Sequence, residues 1–201
     1  MSENTTQPAP LCAKCGKELS LSETTFLLDS DDENVEERVC EECSQSVQDE
    51  YHEQTTDINY IGAILGGLVG AAIGVAVWYL VAIMFDLTIG IIAIGVGFLV
   101  AQGAMFASGN KRGMSLQIIS LLITAAALFI AEYLVGVYFI NQFFTELLGS
   151  SPEFVWIPIG EFIELMVLGM REEFDFIAVV IWGIGLYTAF VTPKAKKLTA
   201  K

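Results

Sequence analysis

The polar and apolar positions divide the chain into a polar first quarter and a long apolar remainder. From Tyr60 to Phe85 there is no charged side chain in 26 residues. As a helix, that run is long enough to cross a hydrocarbon core of about 30 Å. Three more apolar runs follow, over 87–107, 114–140 and 174–192. The third run holds one charge, Glu132, and the fourth has Asp175 in its first turn. The pattern predicts an all-α membrane bundle of four transmembrane helices behind a small N-terminal domain.

Within the first run, Gly62, Gly66, Gly70 and Gly74 recur at a spacing of four. On a helix they form one stripe without side chains, against which another backbone can lie closely. Lipid gives helices little hydrophobic reason to associate, so close van der Waals packing must do it. The second run repeats the theme with Ala93, Gly97 and Ala101. The two stripes predict a tight antiparallel hairpin, with the first helix packing on a neighbour in its own chain or on its copy in another subunit.

Residues 141–173 are apolar and aromatic but interrupted by Pro152, Pro158 and several acids. Glu161 and Glu164 are three apart and share one helix face. The segment is too broken to span and predicts an interfacial or re-entrant helix around 154–170.

Charge sharpens the division. Residues 1–57 hold 15 of the 24 acids and only three bases, Lys14, Lys17 and Arg38. So acidic a head repels nucleic acid and anionic lipid, so no nucleic-acid partner is expected, while membrane lipid surrounds the apolar runs. The start of the chain has no basic and apolar leader pattern, so no cleavable signal peptide is expected. Residues 1–10, with two prolines, predict a disordered lead-in. Lys111 and Arg112 lie between runs two and three, and Lys194, Lys196, Lys197 and Lys201 follow run four. With four spans these bases share one side with the head, which places both termini in the cytoplasm of a multi-pass protein of the cell (inner) membrane.

All four cysteines lie in the head, as Cys12, Cys15, Cys40 and Cys43, with 24 residues between the two C-x-x-C pairs. Two residues between thiolates let a tight turn aim both sulfurs at one ion, and Gly16 supplies backbone freedom for it. The pattern predicts a tetrahedral Cys₄ zinc site. A thioredoxin-like redox pair needs a larger α/β fold than 57 residues supply, and paired disulfides need an oxidising compartment. The run C-x-x-C-G-K-x-L … V-C-x-x-C resembles the zinc-ribbon and treble-clef class over residues 11–45. That resemblance implies the four cysteines as metal ligands and a domain that docks on other macromolecules, and no enzyme. The glycine-rich spans also resemble those of many multi-span prokaryotic membrane proteins, some headed by a zinc ribbon.

Other chemistry is sparse. His52 is the single histidine and reads as a solvated surface residue, so no His-based catalytic arrangement is expected. No Walker loop and no G-x-S-x-G occurs. Glu132 sits at membrane depth with no basic residue in any span, which predicts a carboxyl bonded to a neighbouring helix or reaching the boundary beside Tyr133. The functional expectation is a non-catalytic scaffold or adaptor, homo-oligomeric through its glycine stripes, that presents the zinc head to a cytoplasmic or membrane protein partner. The alternative is an oligomeric cation channel or transporter, with Glu132, Glu146, Glu161, Glu164 and Asp175 lining an acidic vestibule.

Overall fold

The computed structural model describes residues 11–19, 26–28, 37–85, 92–148, 154–172, 176–195 and 198–200. The lead-in over 1–10, the acidic loop over 29–36, Asp86 and Asp175 lie outside the described residues. Two compact units form, one from 1–57 with 195–201 and the other from 58–194.

The smaller unit contains strands β1 (Phe26–Leu28) and β2 (Glu37–Val39) and helix α1 (Glu41–Thr55). A third strand comes from the far end of the chain: β3 (Leu198–Ala200) pairs antiparallel with β1, Phe26 opposite Ala200. The sheet order is β2-β1-β3. The N-terminal head therefore takes one strand from the C-terminal end of the chain. Among the described residues the core of this unit is Cys12, Leu19, Val39 and Cys40, flanked by Cys43 and Val47.

The larger unit holds α2 (Tyr60–Phe85), α3 (Ile92–Ala107), α4 (Met114–Leu148), α5 (Ile159–Glu172) and α6 (Phe176–Val191). Of these, α2 and α4 are long and apolar enough to cross a membrane. The expectation of four full-length spans is thereby corrected. The described parts of α3 and α6 have 16 residues each, about 24 Å at 1.5 Å per residue. The third run is longer than expected. Its helix continues past Ile140 to Leu148, because Asn141 is held by the Val137 carbonyl and does not end the helix.

α2, α3, α4 and α6 pack together with alternating direction. A Cβ at Gly62, Gly66 or Gly70 would strike the carbonyl of Ala107, Gly103 or Leu99 respectively, and at Gly74 it would meet the Val96 methyls at 3.1 Å. The register runs backwards along α3, so the pair is antiparallel and the α2 stripe lies on a helix of the same chain. The α3 stripe is used differently from the expected facing arrangement. A Cβ at Gly97 would strike the Gly185 carbonyl, and one at Gly185 would lie 2.8 Å from the Ala93 carbonyl. Ala93, Gly97 and Ala101 are buried, and Ala93 and Gly97 lie against α6, while α2 meets the α3 edge formed by Val96, Leu99, Gly103 and Ala107.

α4 runs parallel to α2, with Gly67 beside Ile123 and Ala63 grouped with Leu116. It runs antiparallel to α6. The Gly113 N–H donates to the Pro193 carbonyl, and Gln117 Nε2 donates to the Phe190 carbonyl at 2.9 Å. The start of α2, the α3–α4 turn and the end of α6 thus share one end of the bundle. That turn uses left-handed backbone at Asn110 (φ 58°), Gly109 (φ 86°) and Gly113 (φ 135°).

Buried polar groups punctuate α4. Ser120 Oγ and Thr124 Oγ1 are fully enclosed and make no hydrogen bond among the described residues. An enclosed hydroxyl without a partner costs about 1–3 kcal/mol. Thr124→Val keeps the branched shape and removes that cost, so a thermal melt in detergent should show a gain of about 1 kcal/mol.

Candidate metal centre

The first knuckle is shaped by its own backbone. Gly16 N–H donates to the Cys12 carbonyl, and Gly16 adopts φ 72°, a left-handed conformation that costs glycine little. Cys12 N–H donates to the Lys17 carbonyl, and Leu11 bridges to Glu18, which closes the turn. The second knuckle runs straight into α1. Cys40 is the N-cap, and Cys43 N–H and Ser44 N–H both reach the Cys40 carbonyl. The two knuckles are tied by the Ala13 N–H to Arg38 carbonyl bond and by Cys40 N–H pointing at Cys12 Sγ at 3.4 Å.

Consequently the four sulfurs lie within 4.8 Å of one another, although 24 residues separate the pairs. None is in a disulfide. Cys15 Sγ and Cys40 Sγ are 3.8 Å apart, far beyond an S–S bond of about 2.05 Å. That distance matches the edge of a tetrahedron with metal–sulfur bonds of about 2.3 Å.

The electrostatics fit a cation. Burial works against the Cys12 thiolate, but the backbone of Cys40, Cys15 and Lys14 hydrogen-bonds it and brings its thiol down to about 6. Hydrogen bonds with the Cys40 and Cys15 sulfurs, with burial behind them, push the Cys43 thiol up to about 12. Four sulfurs this close resist common ionisation unless a positive ion sits among them. The N-terminus of α1 adds a favourable partial charge beside Cys40 and Cys43. The residues present can hold a tetrahedral metal ion.

Around the cluster, Lys14 pairs with Glu50 at 3.1 Å and Lys17 with Glu42 at 3.7 Å. Both pairs are exposed, so they orient the first knuckle on α1 and add little stability. His52 is exposed near the end of α1, where its carbonyl accepts from the Thr56 hydroxyl at 2.6 Å.

The predicted carboxylates do not come together as the four cysteines do. Glu132 is half-buried on α4, on the side of the Trp182 indole of α6. Glu161 and Glu164 are exposed on α5, and Glu146 is exposed near the end of α4. The segment before α5 is fastened to α4 instead. Asn141 exchanges two hydrogen bonds with the Val155 backbone, at 2.8 and 3.0 Å, and Tyr133 Oη donates to the Ile157 carbonyl at 2.7 Å. Phe162 packs edge-on against Tyr133, over Gly136. Sequence reading singled out neither Asn141 nor Gly103, Gly185 and Ala189. Only the extra glycines carry a signal, as small residues within apolar runs.

Comparison with protein-family models, curated proteins and solved structures finds no match.

Proposed function

We propose that this chain is an integral membrane scaffold or adaptor. Its bundle crosses the membrane four times, α3 and α6 as short spans over which a bilayer thins or the flanking residues adjust. Support comes from the outward face of α2, where Ile61, Leu65, Val69, Ile73, Val77 and Leu80 are all exposed. An apolar face of that length needs lipid or protein against it. The basic loop and tail put both termini in the cytoplasm, and zinc, kept by reduced thiolates, occupies the Cys₄ cluster.

The observation that carries the adaptor reading is the use of all four cysteines in one cluster inside its own folded unit. As ligands they are not available as nucleophiles or redox pairs, so the head offers a rigid surface and no reaction centre. On α1 that surface is exposed and acidic, with Glu41 and Asp49 beside the paired Glu42 and Glu50. A basic protein segment is the complementary partner. Contacts between copies assemble the membrane units.

A photo-crosslinking residue at exposed Gln48 tests this. One discrete cytoplasmic or membrane protein should be trapped by the wild-type head and not by Cys40→Ser. In the same account Glu132→Gln, which keeps the shape and a hydrogen-bonding group, should change stability by less than about 1 kcal/mol. Ion flux in reconstituted wild type that vanishes in a folded Glu132→Gln protein would replace the adaptor reading with a cation channel or transporter.

A further inference from the structure

The C-terminal strand of the head rests on two elements. β3 pairs with β1 over three residues, Phe26 opposite Ala200 and Leu28 opposite Leu198, and it also lies against α1. A ladder this short is marginal by itself in water, so β3 is held only as firmly as its two supports. Both supports are set by the second cysteine knuckle. β1 has β2 on its other edge, with Phe26 opposite Val39. Val39 is fully enclosed, shares the core with Cys12 and Cys40, and directly precedes Cys40. The Arg38 carbonyl beside it accepts from the Ala13 N–H, which ties β2 to the first knuckle. α1 starts at Glu41, with Cys40 as its N-cap and Cys43 in its first turn. The seat of β3 therefore exists while β2 and α1 are held together. The four sulfurs, within 4.8 Å of one another, stand where one ion would hold them so.

We propose that residues 198–200 are a metal-dependent latch: the C-terminal strand docks on β1 and α1 while the Cys₄ cluster holds its ion, and is released when the ion is lost. Linkage makes the device reciprocal. Releasing the strand weakens metal binding by the same factor by which metal strengthens docking. The chain passes between the two units at 57–58 and again at 194–195. With the latch closed, both connections join the head to the larger unit. With it open only the first remains, and the chain end that follows α6 is free of the head. Metal loading thereby becomes a signal that reaches the bundle through the end of α6. The inference rests on the metal reading above.

The test uses the full chain in detergent, loaded with zinc. Backbone amides of 198–200 should exchange slowly with zinc bound and as fast as an unstructured peptide after chelation. Leu198→Pro with Thr199→Pro removes a ladder donor whichever of the two faces β1, because successive residues of an antiparallel strand alternate in bonding. That variant should yield its zinc at about a tenth of the chelator concentration that wild type needs, within the roughly fivefold to 150-fold range of ordinary coupling. Thr199→Val, which keeps a strand-forming residue, should match wild type. Tail amides that stay protected after zinc removal overturn the proposal. So does a proline variant, as helical as wild type, that holds zinc equally tightly, and so does an equal loss in Thr199→Val. Wild type that takes up no zinc removes the metal reading, and this inference with it.

Discussion

Replacing Gly66 and Gly70 together with leucine should separate α2 from α3 and destabilise the bundle by on the order of 2–6 kcal/mol. At both positions the first added carbon meets backbone, the carbonyls of Gly103 and Leu99, and neither can turn aside as a side chain can. The loss should appear as a thermal transition in detergent lowered by many degrees, or as failure to accumulate in membranes. Because these glycines meet α3 of the same chain, the bundle should fail before any question of assembly arises. Gly95→Ala is the control. Nothing lies within 4 Å of a Cβ there, so that substitution should be neutral or slightly favourable through helix propensity. Equal, small effects at Gly66, Gly70 and Gly95 would show that the α2–α3 contact is not what holds these helices.

The second large effect concerns the four clustered cysteines. Cys40→Ser in the full chain should unfold the head, because the core seen among the described residues, Cys12, Leu19, Val39 and Cys40, cannot hold so small a unit without a staple. Amide signals from α1 should collapse while the bundle's thermal transition stays in place. A strong chelator should do the same to the wild type. Acid should act in the same direction, since ligands must be thiolates and protons compete with metal as pH falls. A head that keeps its amide dispersion in Cys40→Ser would contradict the stapled core. The full chain is needed for these experiments, since β3 from residues 198–200 belongs to the head sheet.

Much of this was legible in the sequence where local chemistry decides. The uncharged run Tyr60–Phe85 coincides with α2 because polar residues bound it on both sides. The four cysteines meet because C-x-x-C spacing fixes each pair, and only the approach of the two pairs is long-range. The edge partner of β1 lies some 170 residues away in a Leu-Thr-Ala stretch without any pattern of its own, so nothing local announces it. Helix partnering was hidden for a related reason. A stripe of small residues announces close approach without saying to what: the pattern points Ala93 and Gly97 at α2, and they lie against α6. Asn141 read as the end of a span because its side chain is polar; its bonds to Val137 and Val155 make it an interior helical residue.

The most direct measurement is the metal content of the full chain purified from membranes under reducing conditions, with thiols counted after denaturation. About one zinc per chain and four free cysteines are expected. Protein that is folded, free of metal and paired into two disulfides would contradict this.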